Sequence, residues 1–108
     1  MKKSSSKPAA GQSLPILELH TRLVRLNYVN PNARSVCVAG SFNEWHPKVT
    51  EMIELGHGRW AKDLALVPGH YTYRLVVDGE WMPDPESAEL VPNPFGSHDS
   101  VLNVAPQP

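Results

Sequence analysis

His70-Tyr71-Thr72-Tyr73-Arg74-Leu75-Val76-Val77-Asp78-Gly79-Glu80-Trp81 is the stretch on which the fold turns. Tyr71, Tyr73, Leu75 and Val77 alternate with His70, Thr72, Arg74 and Val76, the period of two that marks a half-buried β-strand. Asp78-Gly79 supplies the positive φ angles of a tight hairpin turn, so Glu80-Trp81-Met82 returns alongside. On this parity Tyr71, Tyr73 and Leu75 face a core, whereas Arg74 points outward on the strand that leads into Trp81.

The same period extends in both directions. Upstream, Pro68-Gly69 makes a turn, and Arg59 to Leu66 places Trp60, Leu64 and Leu66 on one face. Gly56-His57-Gly58 joins that run to an expected strand over Val49 to Leu55. Val36 to Ala39 is apolar on both faces, which suits a central strand. It delivers the chain into Gly40-Ser41-Phe42-Asn43-Glu44-Trp45, where Phe42 suits core packing beneath its own loop and Asn43 suits a turn. Val24, Leu26 and Tyr28 form an earlier half-buried strand that ends at Asn30-Pro31-Asn32-Ala33. Downstream, Pro83 to Pro94 holds four prolines and reads as a long irregular loop before a last strand over Ser100 to Val104. About seven strands with no sustained helical period predict an all-β fold, a two-sheet antiparallel sandwich of immunoglobulin type.

Composition narrows the function. The 108 residues suffice for one domain with a modest core, burying somewhat over ~60% of the unfolded surface. A formal net charge of −1 favours neither nucleic acid nor an anionic membrane, so a neutral ligand is expected. Cys37 is the single cysteine and suits an inert buried thiol; it excludes an intrachain disulfide. His20, His46, His57, His70 and His98 show no metal-ligand spacing, and no cofactor motif is present, although His46 and His98 fall near the Trp loops. Residues 1 to 14 are rich in lysine, serine, proline and glycine and read as a flexible basic tail ahead of a domain spanning 15 to 105. Met1 to Lys7 starts like a signal peptide, but no apolar region follows, and no stretch reaches membrane-span length; a cytoplasmic location is expected.

Trp45 and Trp81 each stand just past a strand end. Two such rings on one rim form an apolar platform suited to stacking on sugar C-H faces, and a nearby Arg74 offers a rigid donor fork to vicinal hydroxyls. Each has a plainer reading: Trp81 as a corner plug of the sandwich, Arg74 as a surface cation, and Trp60 as core. Phe95, between Pro94 and Gly96, suits a core anchor or a ligand contact equally. Asp78, Asp84 and Glu86 are turn and loop acids without a partnered base, so no glycosidase arrangement is legible and the chain is expected not to be an enzyme.

Gly40 to Trp45, Trp60 with Leu66-Val67-Pro68-Gly69, Tyr71 to Trp81, Asp84-Pro85, and Asn93-Pro94-Phe95-Gly96 before Ser100-Val101-Leu102 together resemble a carbohydrate-binding module of family 48, the early-set domain related to the glycogen-binding domain of AMP-activated protein kinase β subunits. The resemblance runs from about Arg22 to Val104. It implies binding of α-1,4-linked glucan such as glycogen, starch or malto-oligosaccharide through Trp45, Trp81 and Arg74. Phe95 and Ser97 match the family's last-loop positions by chemistry, while Asp99 stands where the kinase domains have asparagine and can only accept. A module of this kind attaches itself, or an enzyme acting in trans, to glucan. The alternative is a protein-interaction or regulatory module that keeps the fold and turns its aromatic rim toward a protein partner.

Overall fold

A computed structural model of the chain describes residues 20–106, so the expected tail and the first residues of the expected domain lie outside the described residues. Eight strands follow in order: β1 Arg22–Val29, β2 Val36–Gly40, β3 Ile53–Gly56, β4 Arg59–Leu66, β5 Gly69–Val77, β6 Glu80–Met82, β7 Leu90–Pro92 and β8 His98–Val104. They build two antiparallel sheets, β1-β4-β3 and β2-β5-β8-β7, with β6 added to β5. Among the described residues there is no helix long and apolar enough to cross a membrane.

The core forms where the inward positions of both sheets meet. Leu26, Tyr28, Trp60, Leu64 and Leu66 come from the first sheet, and Val36, Val38, Tyr73, Leu75, Val77 and Val104 from the second. Trp60 is therefore a core residue, its indole N–H donating to the Asn30 carbonyl at 3.1 Å, and Phe42 packs against the same cluster. Asp78 and Gly79 take φ of 49° and 87°, the left-handed pair that a two-residue hairpin demands. The Asp78 carboxylate also accepts from the Arg34 and Ser35 amides at 2.8 Å each. Those two amides, Ser35 foremost, hold its pKa below the usual aspartate range.

Two expectations change. The Pro83 to Pro94 segment is not wholly irregular, because Leu90–Pro92 pairs with β8 as a short edge strand. Proline is tolerated on that edge, where no ladder donor is needed. Val49 to Leu55 is not one strand: Thr50 and Met52 hydrogen-bond to Val38 and Val36 of the second sheet, and Ile53 onward pairs with β4 of the first. The segment thus crosses from one sheet to the other at Met52. β2 is paired on both sides, by β5 on one and by Thr50 to Met52 on the other, as expected of a central strand. Its doubly apolar character follows, since Val36 and Val38 face the core while Cys37 and Ala39 form a second small cluster with Val76 on the outer face. Burial pushes the Cys37 thiol up, with Glu51 adding to the effect, so it is a poor nucleophile.

One polar group breaks the apolar interior. Tyr73 donates to Asp84 Oδ2 at 2.5 Å, Asp84 N donates to Ser100 Oγ at 2.8 Å, and Glu86 N donates to Asp84 Oδ1 at 2.9 Å. Tyr73, Asp84 and Ser100 are all buried. Burial first, and the Asp84 carboxylate second, push the Tyr73 phenol well above the usual tyrosine range. A phenol whose folded pKa exceeds its unfolded value stabilises fully below pH about 10, and that contribution declines as the pH rises above it. Comparing wild type with Tyr73→Phe in denaturant titrations, we expect a cost of about 1–3 kcal/mol near neutral pH. The gap should narrow by about 1 kcal/mol per pH unit above pH 10.

Candidate functional site

β5 shares one edge between two partners. Gly69 to Tyr73 pair with β8, and Leu75 to Val77 pair with β6. Arg74 sits at the junction, one residue beyond the Tyr73–Ser100 pair, as Asp99 does on β8. The outer face above this junction carries the candidate site.

Trp45 reaches it through a strained turn. Glu44 and Trp45 adopt φ of 58° and 60°, two consecutive left-handed residues that are not glycine. That conformation costs on the order of 1 kcal/mol per residue and persists where surrounding contacts hold it. Asn43 does the holding: its Oδ1 accepts from Gly40 N, and its Nδ2 donates to Val38 O and Thr50 Oγ1, all at 2.9 Å. Gly40 is required for close approach, since a Cβ there would stand 2.7 Å from the Tyr73 Cβ and from the Thr72 carbonyl. The half-buried Trp45 ring then packs on Cys37, Ala39 and Val76.

Trp81 arrives from the other side by register. It pairs with Val76, which pairs with Cys37, so one row runs through β6, β5 and β2, and the Trp45 ring packs on its Val76 and Cys37 members. Trp81 keeps 40% of its surface exposed, which sets it apart from a corner plug. Arg74 lies on the expected face but is half-buried beneath the last loop. One guanidinium nitrogen donates to Ser97 Oγ at 3.2 Å and to the Trp81 carbonyl at 3.4 Å, while Nε is buried without a partner among the described residues. Phe95 is 88% exposed, so it is not a core anchor. Asp99 Oδ1 accepts from Asn93 Nδ2 at 3.0 Å.

Trp45, Arg74, Trp81, Phe95 and Asp99 line one cleft of about 480 Å³ together with Asn93 and Pro94. Ser97, the sixth expected residue, touches it through Arg74. Neither His46 nor His98 lines it. Asn93 is the participant that sequence reasoning left out, and its signal was an asparagine opening a Pro-x-Gly loop. The walls are aromatic, and the two charges in the lining, Arg74 and Asp99, are opposite in sign. Such a surface suits a neutral ligand with apolar faces and hydroxyl edges. Among the described residues no group of three His, Cys, Asp or Glu is placed to hold a metal ion.

Residues 24–108 match the family described as the glycogen recognition site of AMP-activated protein kinase, and the chain belongs to it. The family is a carbohydrate-binding module, a non-catalytic type of domain. The human 5'-AMP-activated protein kinase subunit beta-2 is 31% identical over 71 residues, 66% of this chain and 25% of the subunit. Protein PTST homolog 2, chloroplastic, of Arabidopsis thaliana is 38% identical over 66 residues, 59% of this chain and 12% of that protein. The chain therefore spans a quarter or less of the length of these relatives. In fold it is similar to part of a maltogenic amylase from S. marinus, with a TM-score of 0.62 and 23% identity over 80% of this chain and 14% of the amylase.

The seating of Trp45 can be tested. Asn43→Ala leaves the Gly40 amide and Val38 carbonyl without their partners, and we expect it to cost about 1–3 kcal/mol in urea unfolding. Native tryptophan emission should shift to the red as the Trp45 ring leaves Cys37, Ala39 and Val76.

Proposed function

We propose that this chain binds α-1,4-linked glucan, such as glycogen, starch or malto-oligosaccharide, without cleaving it. The observation that carries this reading is the cleft itself, in which Trp45, Trp81 and Phe95 surround Arg74 on one outer sheet face. Family membership supports the same ligand class. In this reading the two indoles stack on the apolar faces of consecutive glucose rings and Phe95 covers a third. Arg74 donates to hydroxyls at the sugar edge from a guanidinium already oriented by Ser97 and the Trp81 carbonyl.

The site is an open cleft whose ligand keeps much of its water, so affinity should be modest. A dissociation constant between micromolar and millimolar corresponds to roughly −8 to −4 kcal/mol.

Titrating maltoheptaose while following tryptophan fluorescence tests the proposal. Wild type should give a saturable change, and Trp45→Ala and Trp81→Ala should each weaken binding tenfold or more, about 1.4 kcal/mol, while remaining folded. No response of folded wild type to millimolar sugar would sink the glucan reading.

A further inference from the structure

Every polar group of Asn93 is committed within the last loop and the start of β8. Its amide donates to the Ser97 carbonyl at 2.9 Å, and its carbonyl accepts from Gly96 at 3.3 Å. Its Oδ1 accepts from both the Phe95 and Ser97 amides at 3.0 Å, and its Nδ2 donates to Asp99 Oδ1 at 3.0 Å. Ser97, fixed in this way, presents its hydroxyl to Arg74, which in turn donates to the Trp81 carbonyl. One unbroken chain of hydrogen bonds therefore runs from Asp99 through Asn93 and Ser97 to Arg74 and β6.

Phe95 makes the need for such a clamp plain. An aromatic ring 88% exposed at a loop tip has no packing of its own to hold it. Ordering that loop at the moment of binding would subtract from affinity, so a loop closed beforehand binds better. We infer that Asn93 is the positioning residue of the cleft: it pre-forms the Pro94 to Ser97 loop that aims Phe95 and steadies Arg74, and Asp99 serves by holding the Asn93 amide, not by meeting the ligand. This inference rests on the glucan reading for its ligand, although its structural half stands without one.

A reciprocal exchange of the two side chains separates this role from its alternatives. Asn93→Ala removes the clamp, and Asn93→Asp sets two carboxylates against each other. Asp99→Asn keeps an oxygen facing Asn93. In the double variant Asn93→Asp/Asp99→Asn, carboxylate and amide trade places, and the acceptor for the Phe95 and Ser97 amides is retained. Amide hydrogen exchange at Phe95 and Ser97, measured without ligand, should speed up about tenfold or more in Asn93→Ala and Asn93→Asp and return to the wild-type rate in the double variant. Maltoheptaose affinity should fall about tenfold in the first two and recover to within about threefold of wild type in the double variant.

Protected Phe95 and Ser97 amides in Asn93→Ala would overturn the inference. So would a double variant whose amides are protected again while its affinity stays as low as that of Asn93→Ala, which would put Asp99 on the sugar. If wild type binds no maltoheptaose, the proposed function fails, and the exchange rates alone decide the role of Asn93.

Discussion

The divided edge of β5 is the constraint on which the rest depends. A nine-residue strand pairs along one side with β2 and along the other with β8 and then β6. Two partners cannot occupy one edge without a gap between them, and that gap falls at Arg74. The Tyr73–Asp84–Ser100 group lies directly beneath and joins the same three pieces: Tyr73 belongs to β5, Ser100 to β8, and Asp84 follows β6 by two residues. Burying a carboxylate is costly unless its oxygens are satisfied, and here both accept hydrogen bonds. The interior thereby holds the junction fixed while the exterior uses it.

The site above is built from three separate turns, each held by its own side chain. Asn43 fixes the Trp45 turn, Asp78-Gly79 the hairpin that carries Trp81, and Asn93 the loop that carries Phe95. Exposed aromatic rings sit on rigid backbone as a result, and surface area is offered without a large ordering cost. The charges are kept few. Arg74 is tied down by oxygen acceptors and Asp99 by an amide, so neither is left as a free attraction for ions.

Much of this was legible in the sequence, for physical reasons that differ by residue. Strand periodicity placed Tyr73 and Leu75 inside because alternation reflects one wet and one dry face. It did not show Val76 buried on the opposite face, since that burial depends on a ring delivered from thirty-one positions upstream. The same non-local cover lets β2 be apolar on both faces. The switch of residues 50–56 between sheets was hidden because Thr50, Glu51 and Met52 are sensible strand residues for either partner. At the site, the aromatic residues announced themselves by type and turn context, whereas Asn93 did not: an asparagine beside proline reads as an ordinary loop former. Its part emerges only from where its four polar groups end.

The seat of Trp45 carries a thermodynamic consequence. Its floor is Cys37 and Ala39 from β2 and Val76 from β5, strands that meet only when the second sheet is assembled. A partly folded chain therefore has nowhere to lay this ring, and a ligand resting on it recognises the native state alone. Such a ligand shifts the folding equilibrium by RT ln(1 + [L]/Kd), about 2.7 kcal/mol at a hundredfold excess over Kd. For a small domain of ordinary marginal stability that is a substantial share of the whole. Persistence of the folded protein would then track how much of that ligand surrounds it.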